Sequence, residues 1–525
     1  MDYPDVYPKF YSLPRSEEIC AKRGRDINQC PAKTIKENLL EPVYGPELRL
    51  TGCESSMSLA ARPDPIFAIL KRRATRQIHI FEKPLPVGGK AESYVGALDV
   101  RCPSQQEAND LKGSGKWESV KFCAAGYLRP PSYMTSDKGY AIPLLAPYSV
   151  HVGILPFPCT PYMSHHSFFG YVCAQAAVYL CLEMMMPLGA VPHGPAVLSH
   201  IVSCIDEKRL RKSLRGAFLC KHHKDLSKRV QTEGYFPGGL DQKDLVDLLG
   251  HESLQTKGLS FHVAEMGSDT EKIALDHIET MLCSHIPLIG WVDFDTLAGE
   301  LGEADYLPPG QPGEHVVTII GFCKPSGGPA KVVFHDGQMG PYRELEIDSF
   351  VRAAHAANNG FEEKRQDMVL FSAFPFDVSP ETYKALVSML SATTREREFT
   401  HKTRLSSFGR LAQYLTQHAP GQVTHLDLKA LQELYGQVQE NDPIWLVEYR
   451  APEAGETYID IVSAGTLVPE DMRYGVICLG SNPAKEEWKL IQAKDDEQDL
   501  AYPFTATVKR ARRDKTRKIL TIPRF

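Results

Sequence analysis

Residues 170–180 read GYVCAQAAVYL, and the run continues through CLEMMM before Pro187 interrupts it. This pattern predicts a helix that is apolar on every side, which belongs at the centre of a core. Its first turn carries Cys173, and a polar His165-His166-Ser167 run lies just upstream. A thiol at a helix N-terminus faces unpaired backbone N–H groups and the positive end of the helix dipole, both of which favour a thiolate. A free cysteine is otherwise most often a small core hydrophobe. What separates the two readings is whether a base stands within reach.

A base and an orienting group follow in order. HVVTIIGF (315–322) is a strand pattern that opens with His315 after an exposed loop. Val316, Val317, Ile319 and Ile320 anchor that strand and leave the imidazole at its end. KVVFHDG (331–337) is the return strand and carries Asp336 near its end. An acceptor on the second imidazole nitrogen fixes tautomer and orientation, the third role in triad chemistry. A symmetric turn centred on Gly327-Gly328 sets Asp336 opposite Ile319, roughly 13 Å along the strand from His315. Asp336 therefore requires an asymmetric or bulged hairpin, whereas Gln338 is the nearer orienting group if the turn is symmetric. His335 points to the opposite face of its strand from Asp336 and reads as packing.

A cysteine on a helix, a histidine on a strand and an aspartate on the next strand together resemble the papain-like cysteine protease superfamily. The resemblance is to its compact branch, typified by the bacteriocin-leader-processing peptidases, and covers residues 160 to 375. GYVCAQAAVYL is similar to the nucleophile helix, GLDQKDLVDLLG to an amphipathic segment, and HIPLIGWVDF to the strand before the histidine loop. HVVTIIGF, VVFHDG and EIDSFVRAAH are similar to the histidine strand, the aspartate turn and the closing helix. The resemblance implies an α+β fold with a nucleophile helix packed on an antiparallel sheet. It also implies peptide-bond cleavage in a dedicated protein or peptide substrate, with no cofactor. In that scheme Cys173 is the nucleophile, His315 the general base and Asp336 the orienting group. The family carries an oxyanion-hole glutamine six residues before the cysteine, where this chain has Ser167. Ser167, His166 and the Cys173 backbone N–H are the candidate donors here. The same triad also suits deamidation or acyl and transglutaminase-type transfer. A papain-like fold without a working oxyanion donor suits protein binding alone.

The remaining chain bounds these readings. At 525 residues it exceeds the size of one core, which predicts three regions: a strand-rich segment 1–150, a catalytic segment 151–385 and a mixed α/β segment 386–525. A net charge of −6 argues against a chain-wide nucleic-acid surface. The 13 cysteines are odd in number and lack Cys-x-x-Cys pairs, so reduced thiols in the cytoplasm are expected. The opening MDYPDVYPKFYSLPRSEE has neither a basic start nor an apolar core, so no secretory signal is expected. Tyr171 to Val191 has the length of a membrane span, but Gln175, Glu183 and Pro187 interrupt it, and a core helix is expected instead. His165-His166 and Cys220-Lys221-His222-His223 lack zinc-site spacing, so no metal is expected. No phosphate-binding glycine loop is present to support nucleotide chemistry. The acidic loop before His315 holds Glu300, Glu303, Asp305 and Glu314, a preference for a basic substrate residue or a solvated surface. Seven basic residues between Lys509 and Lys518 form either a docking site for an anionic partner or the face of a closing hairpin.

Overall fold

The two most apolar strand patterns, LIGWVD and HVVTIIGF, lie side by side in the middle of a sheet. The structure, a computed structural model, describes residues 10–12, 35–53, 76–82, 94–101, 122–148, 157–166, 173–185, 240–250, 256–263, 270–303, 314–358, 367–375, 377–387, 400–407, 409–411, 442–451, 456–465, 473–479, 487–492 and 520–523. The Cys220–His223 run, Ser167, Asp305 and the basic stretch 509–518 lie outside the described residues.

The fold is mixed α+β with three antiparallel sheets. The central sheet runs β13 (Gly340–Glu346), β12 (Lys331–Asp336), β11 (Glu314–Cys323), β10 (Leu288–Asp293), β14 (Met368–Pro375), β9 (Thr256–Val263), and β6 (Tyr140–Ala141) pairs with β11 outside this path. The N-terminal sheet runs β1 (Phe10–Ser12), β2 (Arg49–Cys53), β3 (Arg76–Phe81), β4 (Tyr94–Arg101), β5 (Phe122–Leu128), β8 (Phe157–His166), β7 (Ala146–Tyr148). The third is a meander in chain order: β15 (Thr400–Ser407), β16 (Pro443–Ala451), β17 (Glu456–Ser463), β18 (Arg473–Leu479), β19 (Glu487–Gln492), β20 (Leu520–Pro523). The helices are α1 (Glu41–Tyr44), α2 (Ser132–Ser136), α3 (Cys173–Met185), α4 (Gln242–Leu249), α5 (Thr270–Cys283), α6 (Phe294–Glu300) and α7 (Ile347–Asn358).

The chain divides into two compact units, Met1–Ile278 with Ile286–Ala373, and Glu279–His285 with Phe374–Phe525. The regions expected as 1–150 and 151–385 thus fall almost entirely within the first unit, and 386–525 falls within the second. In the second unit Trp445 is fully buried and packs on Tyr383, with ring centroids 5.1 Å apart.

Helix α3 is buried along its length, including Ala174, Val178, Leu182 and Met185, and packs against β11, β10 and β8. It therefore joins the central sheet to the N-terminal one. Its one acidic residue, Glu183, is buried and accepts a hydrogen bond from the Tyr127 hydroxyl at 3.1 Å. Among the described residues no helix is long and apolar enough to cross a membrane.

Elsewhere the local chemistry explains the packing. Asp241 caps α4 by accepting from the Asp244 N–H at 2.8 Å, and the Asp244 carboxylate returns to the Asp241 N–H, a reciprocal cap. Gly290 leaves room for Phe350 of α7, whose ring tip stands 2.8 Å from where a Cβ would sit. Gly258 lies inside β9. There it admits the Val246 carbonyl of α4, which a side chain would meet, so close approach is its role.

Candidate active site

His315 opens the buried part of β11, opposite Val292 of β10. Whether Asp336 can reach it depends on the hairpin register. Near the turn the pairs are Cys323↔Lys331, Phe322↔Val332 and Gly321↔Val333. If that pairing ran on uninterrupted, Asp336 would fall opposite Thr318 and point away from the His315 face. The register shifts between Ile319 and Gly321, so that Ile319 pairs with Phe334 and Thr318 with His335. Continued one step, this pairing sets Asp336 opposite Val317, on the same face as His315. Ile320 is the extra residue that makes the site, and the asymmetric hairpin is the one that forms.

The result is a hydrogen bond of 2.8 Å between His315 Nε2 and Asp336 Oδ2. His315 is 4% exposed and Asp336 is fully buried. Asp336 Oδ1 accepts from the backbone N–H groups of Gln338 at 2.6 Å and Met339 at 2.9 Å. A buried carboxylate needs such donors to stay ionised. Burial alone would raise the Asp336 pKa, but the His315 charge and these two N–H groups hold it below the ordinary carboxylate range. Gln338, the alternative orienting residue, contributes a backbone N–H to the aspartate in this arrangement.

Cys173 is the first residue of α3 and is half-buried. It lies next to the His315 ring and is among the groups that raise the pKa of that imidazole. Since Nε2 is held by Asp336, Nδ1 is the nitrogen left for the thiol. Burial pushes the His315 pKa down, yet Asp336 and then Cys173 raise it to about 10. The imidazole is therefore charged at neutral pH. The edge of Phe294, the first residue of α6, meets its ring at 4.8 Å between centroids. Asp293 caps α6 through the Thr296 N–H at 2.8 Å and so fixes where that phenyl ring begins.

The other expected groups divide. His166 ends β8, where its backbone pairs with Phe122. Glu300 is engaged by Arg352 through two bonds of 2.9 and 3.0 Å, which lower its pKa. Glu303 pairs with Arg343. Neither carboxylate is free to select a basic substrate residue, because each already has a guanidinium. Glu314 stands beside Asp241; partial burial and that like charge raise its pKa. Among the described residues no three His, Cys, Asp or Glu side chains gather as a metal site.

Several contributors carry no sequence signal as a site. Thr160, Tyr162 and Ser164 of β8 are buried polar residues that approach the 335–337 turn. β8 was not expected as a strand at these positions, because Pro158 and Pro161 interrupt its pattern. They are tolerated because β7 pairs only with 157–159, and β5 pairs with 160–166. Each half of β8 is thus an edge. The alternation of Thr160, Tyr162 and Ser164 was the signal that could have revealed them.

The chain matches no protein-family model and no curated protein.

Proposed function

We propose that this chain is a papain-like thiol hydrolase that cleaves a peptide bond in a dedicated protein substrate, where thiols stay reduced. The observation that carries the reading is the convergence of Cys173, His315 and Asp336 from a helix end and two strands. A charged imidazole beside a thiol is the partner of a thiolate, and the thiolate is the nucleophilic form of cysteine. Helix α3 adds its N-terminal dipole on the same side.

The chemistry follows from those positions. Cys173 Sγ attacks the scissile carbonyl carbon, and the carbonyl oxygen becomes an oxyanion. In this reading the Cys173 backbone N–H, at the helix start, is the donor that receives it. His315 Nδ1–H then protonates the leaving amine as the C–N bond breaks, leaving an acyl-enzyme. Water attacks the thioester, gives one proton to Nδ1 and releases the carboxylic acid and the Cys173 thiolate, which restores the starting ion pair. Asp336 keeps the ring in one tautomer through both halves and is not itself protonated.

A thiol-directed alkylating probe tests this reading, with the labelled peptides identified by mass spectrometry. Cys173 is expected to react fastest of the cysteines at pH 6, and His315→Ala to remove that advantage. A peptide library digested with the protein should yield products that vanish with Cys173→Ala. If Cys173 reacts no faster than the other cysteines, the proposal fails.

A further inference from the structure

The acid of the site is held from behind by a different sheet. Thr160, Tyr162 and Ser164 alternate along β8 and so share one face. Ser164 Oγ donates to the Gly337 carbonyl at 2.8 Å, and Tyr162 Oη donates to the Asp336 carbonyl at 3.1 Å. Thr160 belongs to a chain of hydrogen bonds whose direction can be worked out. The Tyr342 N–H donates to His335 Nδ1 at 3.1 Å, so the proton of neutral His335 lies on Nε2. His335 Nε2–H therefore donates to Thr160 Oγ1 at 2.7 Å. The Tyr342 hydroxyl donates to the Leu128 carbonyl at 2.5 Å, so it is Thr160 that donates to Tyr342 Oη, at 2.7 Å. Each hydroxyl has one assigned role, and β5, β8, β12 and β13 are tied into one seam.

The turn that follows is what this seam controls. With the 336 and 337 carbonyls drawn toward β8, the next two N–H groups fold back onto Asp336 Oδ1, and Oδ2 is left for His315. On the far side Gly340, at φ +118, lies against the Leu39 carbonyl with no room for a side chain.

We propose that Tyr162 and Ser164 are positioning residues for the triad, acting through the backbone of the Asp336 turn, so that the N-terminal sheet is part of the catalytic apparatus. This rests on the thiol-hydrolase reading. Neither residue touches Cys173, His315 or substrate in the scheme above; each acts by setting where the carboxylate points. A hydroxyl that merely satisfies a buried carbonyl would affect folding but leave the histidine's titration where it was.

The experiment uses the full chain and iodoacetamide, following alkylation of Cys173 from pH 4 to 11 by peptide mass spectrometry. The upper step in that rate is where His315 loses its proton. Asp336→Asn sets the scale for the upper step. In Tyr162→Phe with Ser164→Ala the upper step should move down by about one pH unit, a roughly tenfold weaker hold on the proton. Ser164→Thr, which keeps the hydroxyl, should restore most of the shift seen in Ser164→Ala. If the double variant does not fold, Ser164→Ala against Ser164→Thr decides by the same readout. An upper step that stays in place while thermal stability falls overturns the inference, since the hydroxyls are then structural only. If wild-type Cys173 is alkylated no faster than the other cysteines, the thiol-hydrolase reading has failed and this inference falls with it.

Discussion

His315 and His335 stand on adjacent strands, 4% and 2% exposed, each against aromatic rings, yet one is charged and the other neutral. Burial drives His335 down to about 3, so it is neutral and serves as a hydrogen-bond relay. The same burial acts on His315, but Asp336 and Cys173 reverse it and carry it up to about 10. Depth does not distinguish the two rings. The difference is a carboxylate at 2.8 Å in place of a hydroxyl at 2.7 Å. One face of the hairpin end is built to keep a proton, and the other to pass hydrogen bonds along a seam.

The sharpest way to break that contrast is to remove the carboxylate and keep its shape. Asp336→Asn leaves Cys173 alone to oppose burial at His315, so the imidazole's pKa should fall far below its parent value. Under the proposed mechanism the turnover number drops by about 10⁴-fold, as loss of an orienting carboxylate does elsewhere. The alkaline limb of kcat/KM should move down with it. A variant that retains its alkaline limb would show that Asp336 does not set the charge.

The turn beneath both histidines offers the next test. Gly340→Ala forces a left-handed residue to carry a side chain into the Leu39 backbone. The strain costs about 1–3 kcal/mol and should lower the thermal midpoint. Gly327→Ala, in the preceding β11–β12 turn with open space around it, should change it little. Equal effects would mean that the Gly340 contact carries no special constraint.

Much of this arrangement can be read from the residues, and the omissions have specific causes. The apolar runs 288–293, 315–322 and 331–336 announce buried strands, and Cys173, His315 and Asp336 stand at their ends or at a helix start. Which face Asp336 takes is not legible, because one extra residue at Ile320 decides it and nothing in HVVTIIGFC marks that position over its neighbours. β8 is hidden by two prolines, and β13 (GPYRELE) by a charged pattern that owes its burial to Tyr342 and Leu345. Tyr162 and Ser164 are invisible as site residues because they act on carbonyls, which every residue possesses.

The two histidines should also act oppositely on stability. His335 has a folded-state pKa below its ordinary 6.5, so its contribution is complete above that pH and is lost as pH falls toward about 3. His315 contributes fully below 6.5 and loses its contribution as pH rises through about 10. Asp336 acts above the ordinary carboxylate value and fails only in stronger acid. Between about pH 4 and 6 His335→Gln should therefore flatten the fall in unfolding free energy by about 1.4 kcal/mol per pH unit. His79 and His277, also lowered by burial, add to that slope. Urea unfolding at a series of pH values measures it, and an unchanged slope would mean that His335 is protonated in the fold.

The smallest effect belongs to the feature both rings share. Phe294 meets His315 at 4.8 Å and 62°, while Tyr162 and Tyr342 meet His335 at 5.4 and 4.7 Å. Because aromatic edges flank both histidines, they do not account for one being charged and the other neutral. Such a contact is worth about 0.5–1.5 kcal/mol, at most about one pH unit of the imidazole's titration. Phe294→Leu should accordingly lower the turnover number less than tenfold and leave the alkaline limb within that range. A shift as large as that of Asp336→Asn would put the origin of the charge in the packing and not in the carboxylate. The ordering expected from the distances is the reverse, because the carboxylate carries a full charge and the ring edge only a quadrupole.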